Sequence, residues 1–152
     1  MLENHPIRRI SVDKTHIHID GRVLHLPTSI VEVEALLGKP DRLKKGVNLI
    51  LTYDLHALHF HSNDGKNVQQ LTVTFDPGWY EFSPNTKFTG SVEILGIELN
   101  SVEDFILIGN DGKLDADEMD ADGFVGITVG LVSATLQFST EDRKLIEVCF
   151  FT

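Results

Sequence analysis

Between Thr28 and Phe75 the apolar residues change period from that of a helix to that of a strand, and this switch restricts the chain to folds that set a short helix beside an antiparallel meander. Ser29 or Thr28 can cap the helix, because a hydroxyl there accepts a bond from a free first-turn N–H, and Glu32 follows Ser29 by three residues as in a capping box. Ile30, Val33, Leu36 and Leu37 recur at helical spacing. Gly38 and Pro40 then end the helix. From Asn48 onward the period is 2, and turns at Leu55-His56 and Asn63-Asp64-Gly65 divide the run into three strands.

A hairpin precedes this unit. Thr15 to Ile19 alternates, Asp20-Gly21 is a two-residue turn, Arg22 to Leu26 alternates back, and Pro27 closes it. The same order returns further on. Ser91 to Leu99 parallels His16 to Leu24, with Ile94 matching Ile19, Gly96 matching Gly21 and Leu99 matching Leu24 at one constant offset. Ser101 to Gly109 then reads as a helix, and Gly123 to Phe138 and Leu145 to Phe151 read as strands about a polar turn at Ser139 to Lys144. The expected architecture is α+β: an internal duplication of a hairpin, helix and three strands, forming an antiparallel sheet with helices packed on one face. A chain of 152 residues with 41% hydrophobic content holds one core, so residues 1–152 form a single domain. Residues 12–75 are the first repeat, 76–87 a connector and 88–152 the second repeat.

The connector, DPGWYEFSPNTK, carries Trp79, Tyr80 and Phe82 where polar residues are the rule. Its rings either fold back to seal an edge of the sheet or stand out as anchors for a partner.

Net charge is −10, which argues against nucleic acid, since phosphate binding runs on clustered Lys and Arg. It leaves open a basic protein partner. The single cysteine, Cys149, excludes an internal disulfide and reads as a buried strand thiol. No apolar run near the N-terminus has the length of a signal peptide or membrane span, so the cytoplasm is the expected compartment and no membrane is expected as a partner.

Three constellations bear on chemistry. His16 and His18 stand two apart on one expected strand and His59 and His61 on another, so each pair shares a sheet face, and neighbouring strands would bring four imidazoles to one zinc-like ion. Ile17, Ile19, Leu58 and Phe60 occupy the opposite face, which puts the histidines outside, where solvated side chains are the ordinary outcome. The acidic stretch Gly109 to Gly123 resembles the second half of an EF-hand loop, with Asp111, Gly112, Leu114, Asp115 and Glu118 in phase. Leu107 and Gly109 fall where the first carboxylates belong, so a solvated insertion or a partner-binding loop is expected there instead. Asp111, Asp115, Asp117, Glu118, Asp120 and Asp122 face one Lys113, giving a strongly negative field that attracts a basic surface. Finally, no P-loop, G-x-S-x-G, H-E-x-x-H or dinucleotide fingerprint is present, and Asp54, beside Tyr53 and His56, has the ordinary role of a turn aspartate.

The LLGKPD segment, Leu36 to Asp41, ending a short helix that leads into a meander, resembles the BamE/SmpA-like outer-membrane assembly lipoproteins and the duplicated domains of β-lactamase inhibitor proteins. It also resembles an uncharacterised bacterial family of small cytoplasmic domains with a hairpin before that helix. The lipoprotein signal and acylated cysteine of the first group do not accompany the motif. What the resemblance implies is a non-catalytic, protein-binding scaffold.

The expectation is therefore a protein-binding domain that is not an enzyme and needs no cofactor, with bacterial toxin immunity as its concrete form and a basic toxin domain as partner. Asp111, Asp115, Asp117, Glu118, Asp120 and Asp122 would steer association, and Trp79 or Tyr80 would hold the complex. The alternatives are a metal-binding or metal-sensing protein using the strand histidines and a structural domain without a specific ligand.

Overall fold

Asp20 and Gly21 both take positive φ, 47° and 82°, and this turn folds β2 (Ile17–Ile19) onto β3 (Arg22–Leu24). Leu95 and Gly96, at 52° and 83°, do the same for β10 (Ser91–Ile94) and β11 (Ile97–Glu98). Positive φ at both central residues matches the twist of the flanking strands, which is why such turns favour hairpins. In the computed structural model, which describes residues 5–78, 81–110, 115–116 and 118–151, the two hairpins share one sheet.

What joins them is β1 (Arg9–Val12), a strand that the sequence reading leaves unassigned. It runs antiparallel to β2 and parallel to β10, giving the order β11-β10-β1-β2-β3. The Asp20 carboxylate accepts the Arg8 and Arg9 N–H groups at 3.0 and 2.9 Å, so the hairpin turn also fixes the entry to β1.

A second sheet of eight strands contains β5 (Arg42–Lys45), β6 (Leu49–Tyr53), β7 (Leu58–Ser62), β9 (Gln70–Thr74), β12 (Asp115–Ala116), β13 (Phe124–Val129), β14 (Val132–Phe138) and β15 (Leu145–Phe151). Its order is β12-β13-β14-β15-β9-β7-β6-β5, antiparallel throughout. A two-stranded ribbon pairs β4 (Thr28–Ser29) with β8 (Asn67–Val68). The meander after the first helix thus gains β5 and β8 over the three strands expected. Each half of the chain supplies one hairpin to the smaller sheet and four strands to the larger, whose halves meet at β9–β15. Descent of the halves from one duplicated unit is our proposal for this arrangement.

Helix α1 (Ile30–Leu37) begins as its sequence predicts: the Ser29 hydroxyl accepts the Glu32 N–H at 3.1 Å, and Gly38 ends the helix at φ 83°. The Glu32 carboxylate accepts from the Thr28 hydroxyl at 2.6 Å, so the reciprocal half of the capping box goes to a side chain rather than to the Ser29 N–H. Helix α2 (Val102–Asn110) is capped by Asp104, which accepts the Asn100 and Ser101 N–H groups.

Alternation along the large sheet sorts its two faces. Ile127, Ala134, Phe150, Leu71, Phe60 and Leu51 stand in register across six strands and are buried in a core that also holds Ile10, Ile17, Ile19, Val92 and Ile94 of the smaller sheet. Val33 and Leu37 of α1 and Val102 and Ile108 of α2 complete it. Each Val, Leu, Ile or Phe side chain among them contributes about 2 kcal/mol on burial, so this shared interior is what joins the sheets. The opposite row reads Gly126, Thr135, Cys149, Thr72, His59, Thr52 and Arg42. Polar groups therefore define the outer face.

Candidate functional sites: a histidine cluster and an acid-lined groove

The four strand histidines do not meet. His18 lies on β2 of the smaller sheet with His16 just before it, whereas His59 and His61 lie on β7 of the larger sheet, and β7 pairs only with β6 and β9. Convergence on one ion is thereby excluded.

Nor are both pairs outside. His59 is buried, only 2% exposed, because the connector crosses the outer face here and Phe82 packs edge-on against His59 and His61, with ring centroids at 5.5 and 5.8 Å. This covering segment is what the alternation argument could not register. The His59 Nδ1 is buried and has no hydrogen-bond partner among the described residues. Burial, reinforced by the neighbouring His61, pulls the His59 pKa down to about 4. Burial lowers that of His61 as well.

Asp54 anchors the covering segment. It holds Arg42 through two hydrogen bonds, 2.9 and 3.2 Å, and accepts the Asn85 N–H at 2.8 Å, while Arg42 donates on to the Ser83 and Glu81 carbonyls. Desolvation opposes ionisation of Asp54, but Arg42 and the Asn85 N–H more than reverse it and its pKa is lowered. The turn aspartate therefore also fastens a loop. Tyr53 donates to the Gly38 carbonyl at 2.8 Å and His56 Nδ1 accepts the Ile7 N–H at 3.3 Å, so these three side chains are each committed to holding separate segments.

The other histidine pair sits in a different setting. The Asp13 carboxylate caps the loop before β2, its Oδ1 accepting the Thr15 and His16 N–H groups, each at 2.8 Å, while Oδ2 lies 3.1 Å from His18 Nε2. These hydrogen bonds, led by the Thr15 N–H, hold the Asp13 carboxyl far below the usual carboxylate range. One ligand atom from each of Asp13, His16 and His18 falls within 4.8 Å of the others. His25, just after β3, lies outside that set of ligand atoms but packs edge-on against His16, with ring centroids 5.0 Å apart. Sequence reasoning missed Asp13 and His25, although counting outward from the Asp20-Gly21 turn puts His25 opposite His16.

The acidic stretch divides. Trp79, Tyr80, Asp111 and Asp117 lie outside the described residues, as do Gly112, Lys113 and Leu114. Asp115 and Ala116 form β12, the edge of the large sheet, pairing with Thr128 and Ile127. Glu118, Asp120 and Asp122 are exposed, and Asp120 caps its own turn by accepting the Asp122 and Phe124 N–H groups at 2.9 and 3.0 Å. Leu107 and Gly109, at the positions where an EF-hand has its first ligands, belong to α2.

Asp122 also lines an open groove of about 640 Å³ together with Asp76, Glu141 and Asp142, opposed by Lys87 and Lys144. Cys149 is partly buried on the outer face near Gln70, with burial raising its thiol pKa, so it is a poor nucleophile at neutral pH.

Fold and sites together define an α+β arrangement of two main sheets and a two-stranded ribbon, with a histidine and aspartate cluster at the start of β2 and a groove in which acidic side chains outnumber basic ones. The chain belongs to a family described as a domain of unknown function (DUF7738), whose profile matches residues 9–108, from β1 to within α2. No curated protein and no solved structure matches the chain. No helix among the described residues is long and apolar enough to cross a membrane.

Proposed function

We propose that this chain is a protein-binding domain for a basic partner, and that neutralisation of a bacterial toxin is its concrete role. The observation that carries the reading is the groove in which four carboxylates, Asp76, Asp122, Glu141 and Asp142, outnumber the two lysines Lys87 and Lys144, and in which Asp122 continues the exposed acidic run from Glu118 and Asp120. A concave acidic surface on a chain of net charge −10 attracts Lys and Arg side chains before contact and sets their register afterwards. The commitment of Tyr53, Asp54 and His56 to separate structural bonds supports a scaffold over a catalytic centre at that turn.

The test uses the untagged chain, immobilised through a surface lysine, as bait for proteins of its native host, followed by association kinetics with the captured partner at several salt concentrations. A basic partner whose on-rate falls steeply with salt supports the reading. A partner that is acidic, or whose association ignores salt, overturns it.

A further inference from the structure

We infer that Asp13, His16 and His18 form a binding site for a divalent transition-metal ion of the zinc class, with His25, whose ring packs against His16, the residue placed to supply a fourth ligand. The site shares no residue with the acidic groove.

The ligand chemistry is specific. Two or three imidazoles with one carboxylate suit zinc and its first-row neighbours, whereas calcium and magnesium require shells made of oxygen. Spacing agrees with a tetrahedral ion. Two ligand atoms bound at ordinary zinc distances lie about 3.3 Å apart. Asp13 Oδ2 and His18 Nε2 are already 3.1 Å apart, and the ligand atoms of all three residues fall within 4.8 Å of one another, so a small approach of the side chains closes the set. Metal entry exchanges the Asp13–His18 hydrogen bond for two bonds to the ion, and the His18 ring proton relocates to Nδ1.

A supporting layer is present as well. The Thr15 hydroxyl donates to Asp13 Oδ1 at 3.0 Å and lies 2.7 Å from His16 Nδ1. With its one proton spent on Asp13, Thr15 can only accept from His16, which places the ring proton on Nδ1 and leaves the Nε2 lone pair for a metal. Orientation of a ligand imidazole by a bond at its other nitrogen is the usual companion of metal sites. Thr15 is thus a positioning residue.

The loop is fixed before any ion arrives. Leu131 donates its N–H to the Lys14 carbonyl at 2.9 Å, and Gly130 lies so close to that carbonyl that a Cβ would come within 2.0 Å of it. Behind the loop, His18 is held on β2 between Ser11 and Val23. The ligands therefore stand on a braced frame, which lowers the entropy lost on binding.

The experiment is calorimetric titration of the untagged chain, stripped with chelator, with Zn²⁺, alongside Co²⁺ titration followed by visible absorption. The expected result is one equivalent of Zn²⁺ and the intense Co²⁺ bands of a four-coordinate site. His16→Ala and His18→Ala each lower affinity by well over tenfold, and Thr15→Val lowers it by about tenfold with Thr15→Ser restoring it. His25→Ala weakens binding and reduces the cobalt intensity, while His61→Ala changes neither. Circular dichroism reports the fold of each variant, and His18→Gln, which keeps a hydrogen bond to Asp13 but ligates poorly, replaces His18→Ala if that variant unfolds. Absence of saturable binding, unchanged affinity in the His16 and His18 variants, or loss in His61→Ala overturns the site. Unchanged binding in His25→Ala removes His25 from it.

Discussion

The Ile7 backbone N–H donates to Nδ1 of His56 at 3.3 Å, joining the segment that enters the smaller sheet to a turn of the larger one. This bond requires an unprotonated Nδ1. Burial of His56 lowers its pKa accordingly. Replacing His56 with Ala leaves the Ile7 N–H without its acceptor, at a cost of about 1–3 kcal/mol. Urea unfolding should show the midpoint falling with an unchanged slope; an unmoved midpoint would show that the bond contributes nothing.

His59 makes stability depend on pH in a defined window. Its pKa is about 4 in the folded chain against 6.5 for the unperturbed side chain, so between those values the unfolded chain carries the additional proton. The stabilisation is fully present above pH 6.5 and is lost as pH falls towards 4, amounting to about 3 kcal/mol at most. His56 and His61 act in the same direction. Thermal melts from pH 7 to 4.5 should show a steep decline that His59→Leu makes shallower. An equal slope in that variant would assign the decline elsewhere.

Arg42 should govern access to the connector. Its bonds to Asp54, Ser83 and Glu81 tie residues 81–83 across the outer face, and Phe82 rests on the histidines beneath. Arg42→Ala is expected to destabilise by about 1 kcal/mol and to speed proteolytic cleavage within residues 76–87. Mass spectrometry of the fragments locates the cut; cleavage elsewhere, at an unchanged rate, would contradict this role.

Charge neutralisation probes the acidic surface. With a captured partner in hand, Asp115, Asp117, Asp120 and Asp122 changed together to Asn should slow association on the order of tenfold and flatten its salt dependence. Dissociation should change less. Stopped-flow or biosensor kinetics separate the two rates.

Gly130 is the most sensitive glycine near the histidine loop. It has φ +60° and a Cβ there would meet the Lys14 carbonyl at 2.0 Å, so Gly130→Ala combines backbone strain with a steric clash. A loss of more than about 1 kcal/mol is expected in chemical denaturation.

Local signals in the chain proved dependable where the cause was local. The Ser29 cap, the Gly38 stop and the Asp20-Gly21 turn depend on residues within a few positions of one another, and each stands where its chemistry placed it. The α+β class followed from the same periodicities. Partners brought from far along the chain were not legible: β1 pairs in parallel with β10, and Phe82 comes over β7 to bury His59. Alternation states which residues share a face and leaves open what covers it. The Asp13 cluster lay between these cases. Its register across the hairpin could be counted, but the closeness of Asp13 depends on a loop braced by Lys14 and Leu131.

The pairing of β9 with β15 has a consequence for how this polypeptide emerges during translation. The middle of the eight-stranded sheet joins residues 70–74 to residues 147–151, and β1 acquires its parallel neighbour only at residues 91–94. A polypeptide synthesised only as far as residue 140 would thus carry β9 with one rim lacking its neighbour, an open template for pairing with other chains.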